Sequence, residues 1–128
     1  MHALSVIKNI DKKNKVLFVI MFGSQAKGNY TRLSDTDIAI FYEGSNLERY
    51  KFRIKASGEL PDKYDVNILQ DLPMHIQQEV IKTGKTIYSR DEKKTIEEFI
   101  KIVREKPRTE RLMRPYYEKL ERDANART

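Results

Sequence analysis

Asp35 and Asp37 stand two residues apart, and Ile38-Ala39-Ile40-Phe41 continues them as an apolar run of strand composition. Residues two apart on a strand share a face. Two carboxylates on one face repel each other unless a cation lies between them. A hard divalent ion answers that need, and Mg2+ is the natural one, because it takes one or two carboxylates together with phosphate oxygens and water. Eleven residues before Asp35, Ser24 directly follows Gly23. Glycine can take backbone conformations closed to other residues and leaves the main chain open to close approach. Ser24 is a good helix N-cap, and a helical turn beginning there would aim unpaired N–H groups at whatever lies over the end of the preceding strand. Phosphate is the natural occupant, with the Ser24 hydroxyl and the Lys27 cation as further contacts.

The element that must deliver this turn is Val16 to Phe22, a short apolar run rich in β-branched and aromatic residues that reads as a buried strand. Asn29 to Leu33 forms a polar loop, in which Arg32 reads as a solvated side chain. On the following strand Asp35, Asp37, Ala39 and Phe41 share one face, and Thr36, Ile38 and Ile40 the other. A Gly-Ser turn alone is an ordinary turn, and Ser-Asp-Thr-Asp alone an ordinary loop. Their combination at this spacing, each beside an apolar strand, points to chemistry on a phosphate.

Gly23-Ser24-x-Ala26-x-Gly28 followed by Ser34-Asp35-x-Asp37 resembles the signature of the polymerase β-like nucleotidyltransferase superfamily, and in particular its small prokaryotic branch, the minimal nucleotidyltransferases. The resemblance covers roughly residues 1 to 90. It implies an α/β (α+β) fold, a mixed β-sheet flanked by helices. It also implies that Gly23, Ser24 and Lys27 hold the triphosphate of ATP, and that three carboxylates hold two Mg2+ ions. The family's third carboxylate matches Asp65, which opens the alternating run Tyr64-Asp65-Val66-Asn67-Ile68-Leu69. The resemblance makes Asp35, Asp37 and Asp65 both the metal ligands and the catalytic set, with Asp65 as the base that takes a proton from an attacking hydroxyl. Asn67 lies on the carboxylate face of the same strand.

The supporting elements follow from periodicity and stop signals. Leu4, Ile7 and Ile10 place an amphipathic helix over residues 2 to 13. Leu47, Tyr50, Ile54 and Ser57 follow helical spacing up to Gly58 and Pro61. Pro73 suits the first turn of a helix carrying Ile76, Val80 and Ile81, with Gly84 as its stop. Lys85-Thr86-Ile87-Tyr88 reads as an outer strand, since lysine and threonine are tolerated at an edge. Asp91 caps a helix bearing Ile96, Phe99, Ile100 and Val103, which Pro107 ends. Beyond it Leu112, Tyr116 and Leu120 recur every four residues after Pro115. The chain divides into a catalytic domain, 1–106, and a basic, aromatic helical tail, 107–128. The tail either folds onto its own domain or presents Met113, Tyr116, Tyr117 and Leu120 to a partner or another copy.

At 128 residues the chain can bury a core without staples, and its lack of cysteine excludes disulfides and thiolate metal sites. Neither a membrane span nor a leader pattern is evident, so a cytoplasmic protein is expected. The net charge is +6, but residues 101 to 128 carry nine basic and five acidic groups, so four of the six charges lie in the tail. Direct nucleic-acid binding is therefore not the favoured reading. The expected reaction is Mg2+-dependent transfer of AMP from ATP to a hydroxyl. The 128 residues read as the catalytic unit alone, so the acceptor is expected to be held by something else. The resemblance suggests that a partner supplies it: a HEPT-domain toxin ribonuclease whose tyrosine is AMP-modified, with this chain as antitoxin. The alternatives are adenylylation of a small molecule such as an aminoglycoside, and a binding module without turnover; the three carboxylates argue against the latter.

Overall fold

The computed structural model describes residues 2–23, 36–105, 115, 118–120 and 122–124. Its elements run α1 (His2–Ile10), β1 (Val16–Phe22), β2 (Thr36–Tyr42), α2 (Asn46–Glu59), β3 (Tyr64–Ile68), a 3-10 turn (Leu69–Asp71), α3 (Met74–Thr83), β4 (Lys85–Ser89) and α4 (Glu92–Arg104). The strands form one mixed sheet in the order β3-β2-β1-β4. β1 is antiparallel to both of its neighbours, whereas β2 and β3, joined through α2, are parallel.

Both faces of the sheet are covered, which is why β1 and β2 read as nearly continuous apolar runs. On one face α1 and α2 bury Ala3, Ile7, Phe52 and Ala56 against Val16, Val19, Ile38 and Ile40. On the other, Val80 of α3 and Ile102 of α4 close over Leu17, Phe18, Ile20 and Ala39. A bulge lies between Val16 and Phe18. It sends Val16 to the first cluster and both Leu17 and Phe18 to the second, which strict alternation would not do.

The caps explain where the elements begin. Asp11 ends α1 early, at Ile10, because its carboxylate accepts the N–H groups of Lys15 (2.9 Å) and Val16 (2.8 Å) and pins the entry to β1. Ser45 and Glu48 form a reciprocal capping box at the start of α2. Asp91 caps α4 as its position suggests, and Pro73 and Gly84 bound α3. Where β3 has run out, the Gln70 amide continues the pairing of β2: it accepts the Tyr42 N–H at 3.0 Å and donates to the Tyr42 carbonyl at 2.6 Å.

Two helices bury other residues than those whose spacing marked them in the sequence: in α4, Ile96, Ile100 and Val103 are exposed while Thr95 and Ile102 are buried. Leu47, Tyr50 and Ile54 of α2 are 60%, 56% and 48% exposed, and the helix turns Phe52 and Ala56 inward instead. The buried stripe of α2 carries Phe52, stacked on Tyr42 of β2, and the small Ala56. Among the described residues, no helix is long and apolar enough to cross a membrane. Of the tail, residues 118–120 and 122–124 are helical and Leu120 is 48% exposed; Leu112, Met113, Tyr116 and Tyr117 lie outside the described residues.

Candidate active site

β1 ends at Phe22, which pairs with Asp37, and Asp37 in turn pairs with Asp65 across the parallel β2–β3 ladder. Adjacent strands lie about 4.8 Å apart, and register partners in a parallel pair project to one face. The two carboxylates therefore stand side by side at one end of the sheet. Asp37 shares a face with Ala39 and Phe41, both part of the α3–α4 cluster, and is half-buried; Asp65 is exposed. The two strands enter together, since the Thr36 N–H donates to the Lys63 carbonyl at 2.8 Å. Behind Asp65, the Asn67 side chain turns back to donate to the Asp65 carbonyl at 3.4 Å.

Gly23 completes the described part of the site. Its φ is +84°, in the left-handed region that favours glycine. A β-carbon there would lie 2.5 Å from Oδ2 of Asp37. The residue is thus glycine for two separate reasons, conformation and space. The first was legible in the strand-to-turn position. The second joins residues fourteen apart in the chain.

Of the six residues singled out, Gly23, Asp37 and Asp65 converge at this end of the sheet. Ser24, Lys27 and Asp35 lie outside the described residues. Among the described residues no three acidic, histidine or cysteine groups gather as a metal cluster. The two carboxylates that do meet are hard oxygen donors from neighbouring strands, a donor set that fits Mg2+ with further places left for water and phosphate oxygens.

The family model described as polymerase beta, nucleotidyltransferase, matches residues 5–93. That span runs from α1 to the start of α4 and includes every candidate site residue. A protein of Methanocaldococcus jannaschii named protein adenylyltransferase is 38% identical over 89 residues, covering 70% of this chain and 68% of the relative. Among solved structures, a chain of a toxin–antitoxin crystal structure with AMP-PNP aligns with a TM-score of 0.61 at 20% identity, covering 96% of this chain and 90% of that one. A chain from a structure of the tri-AMPylated Shewanella oneidensis HEPN toxin with its MNT antitoxin aligns with a TM-score of 0.52 at 18% identity, covering 97% and 93%. At such identities the structural matches speak for the fold, a mixed sheet flanked by helices.

Proposed function

We propose, since this chain belongs to the polymerase beta nucleotidyltransferase family, that it transfers AMP from ATP to a hydroxyl of a partner protein. The acceptor we assign is a tyrosine of a HEPT-domain toxin, which makes the chain an antitoxin. The observation that carries the reading is the in-register pair Asp37 and Asp65 beside Gly23. The name of the archaeal relative and the toxin–antitoxin context of the structural neighbours support the choice of acceptor.

In the reaction the acceptor oxygen bonds to the α-phosphorus of ATP, the bond to the β-bridging oxygen breaks, and pyrophosphate leaves. Asp65, the exposed member of the pair, is assigned the proton released by the acceptor hydroxyl. Gly23 brings bare main chain close to the phosphates, with Ser24 and Lys27 assigned to the same anion. Mg2+, held by Asp35, Asp37 and Asp65 when bound, supplies the positive charge that neutralises the triphosphate. Residues 1–106 are assigned to catalysis and 107–128 to docking.

The test is transfer of label from α-labelled ATP, with Mg2+, to proteins that co-purify from the native host. Wild type should label one band, identified by mass, and Asp37→Asn should not. Labelling by Asp37→Asn at the wild-type rate would overturn the mechanism. A folded, ATP-binding wild type that labels no protein would overturn the protein acceptor and leave a small molecule.

A further inference from the structure

The inner side of α4 is fixed to the body of the protein. Thr95 and Ile102 are buried, Phe99 packs edge-on against Phe18, and the Gln78 amide of α3 donates to the carbonyls of Ile102 and Glu105. On its outer side Ile96, Ile100 and Val103 are exposed in one row, at the four- and three-residue spacing of a helical stripe. An open groove of about 220 Å³ runs along the row, lined by Phe99, Ile100, Val103 and Arg104. Glu97 and Arg104, seven residues and so about two turns apart, flank the row on one side. Neither makes an ion pair among the described residues, whereas the neighbouring Lys94 and Lys101 are engaged by Glu43 and Glu98.

Covering a row of isoleucine and valine removes apolar surface from water, and the charges beside the row select the cover. A two-fold axis at Ile100 sets two copies of α4 antiparallel, with the Ile100 side chains against each other. Ile96 of one copy then lies within one residue's rise, about 1.5 Å, of the level of Val103 of the other, and Glu97 equally close to the level of Arg104. Lys93 falls beyond the end of the other α4, which stops at Arg104. One symmetry operation thus lays apolar row on apolar row and acid beside base twice. We infer that two copies of the chain associate through α4 in this way, with Glu97 of each beside Arg104 of the other. The chain's own tail is a poorer match: as a cover it would bring Arg108, Arg111 and Arg114 to the helix end that already carries Arg104, and Leu120 in its described part is exposed. An interface resting on one helix buries less than about 1,200 Å², the range of weak, reversible association. Gly23, Asp37 and Asp65 are not on α4, so each copy keeps its own site.

The test is sedimentation equilibrium of the full chain from about 5 to about 500 µM, at about 50 mM salt, where surface charges are little screened. Wild type should shift from monomer to dimer as concentration rises. Ile100→Asp, at an exposed position, should raise the dissociation constant at least about tenfold while the melting temperature of the dilute protein holds. Glu97→Lys and Arg104→Glu should each weaken self-association, because each sets like charges opposite one another. Their equimolar mixture should form a heterodimer about as tight as the wild-type dimer, because both cross pairs are again acid beside base. A wild type that stays monomeric throughout, or an Ile100→Asp protein that dimerises equally well, would overturn the proposal. Single variants that gain nothing on mixing would overturn the antiparallel pairing and leave the face to a different partner.

Discussion

A β-carbon at position 23 has no free space to enter, because Oδ2 of Asp37 occupies it at 2.5 Å. Gly23→Ala must therefore do two things. It places a side chain at φ +84°, which costs about 1–2 kcal/mol in the left-handed region. It also forces the Asp37 carboxylate from the position it holds beside Gly23. The expected outcome is a modest fall in melting temperature with a much larger fall in transfer from α-labelled ATP, measured where both proteins are folded. Asp37→Asn separates the two effects: transfer should be lost while the melting temperature holds, because one of two adjacent carboxylates has lost its charge. Wild-type turnover by Gly23→Ala would remove Gly23 from the site. Residue types at their spacing pointed to Gly23 and Asp37, each bordering an apolar strand, whereas Asp65 was reached through the family resemblance, as the acid that opens the next alternating run. The contact between Gly23 and Asp37 was not legible, because it depends on how β1 and β2 pair.

The first strand's boundaries were legible for a related reason: its apolar run begins after Lys15 and stops at Gly23, and β1 spans Val16–Phe22 as read. The inward face of α2 was not, because counting apolar residues favoured Leu47, Tyr50 and Ile54 over Phe52 and Ala56. Phe52 stacks on Tyr42 of β2, a contact that a helical wheel does not contain. Two measurements probe this helix. Gly58 lies within it with nothing inside 4 Å of an added β-carbon. Gly58→Ala should therefore stabilise the protein by about 0.5–1 kcal/mol, by restricting the unfolded chain; a lower urea midpoint would contradict that. At the other end, the Lys15 ammonium first, and then the Ser45 N–H, hold the Glu48 carboxyl down from 4.5 to about 2. The folded protein thus binds this proton less readily than the unfolded chain. Its contribution is complete above pH of about 4.5 and fades as pH falls towards 2. The melting difference between wild type and Glu48→Gln should be present at pH 7 and vanish near pH 2, and a difference that grows with acid would reverse the assignment.

At the scale of the molecule, β1 belongs to both cores and also ends at the site. Val16 and Val19 lie in the α1–α2 cluster, and Leu17, Phe18 and Ile20 in the α3–α4 cluster. Phe18 is fully buried, stacked on Phe41 at 5.0 Å between centroids and edge-on to Phe99 of α4 at 4.9 Å. It ties β1, β2 and α4 together in one contact. Phe18→Ala should cost about 3–5 kcal/mol, a large part of the roughly 5–15 kcal/mol that holds an ordinary domain folded. Since the strand it sits on is shared by both cores, that loss cannot be confined to α4. The urea midpoint should fall sharply, while far-ultraviolet and tyrosine signals still follow one transition of unchanged slope. A variant in which helix signal departs in a separate early step would mean that α4 is held independently of the sheet. The end of β1, and with it Gly23 beside Asp37, would then be positioned by the α1–α2 layer alone.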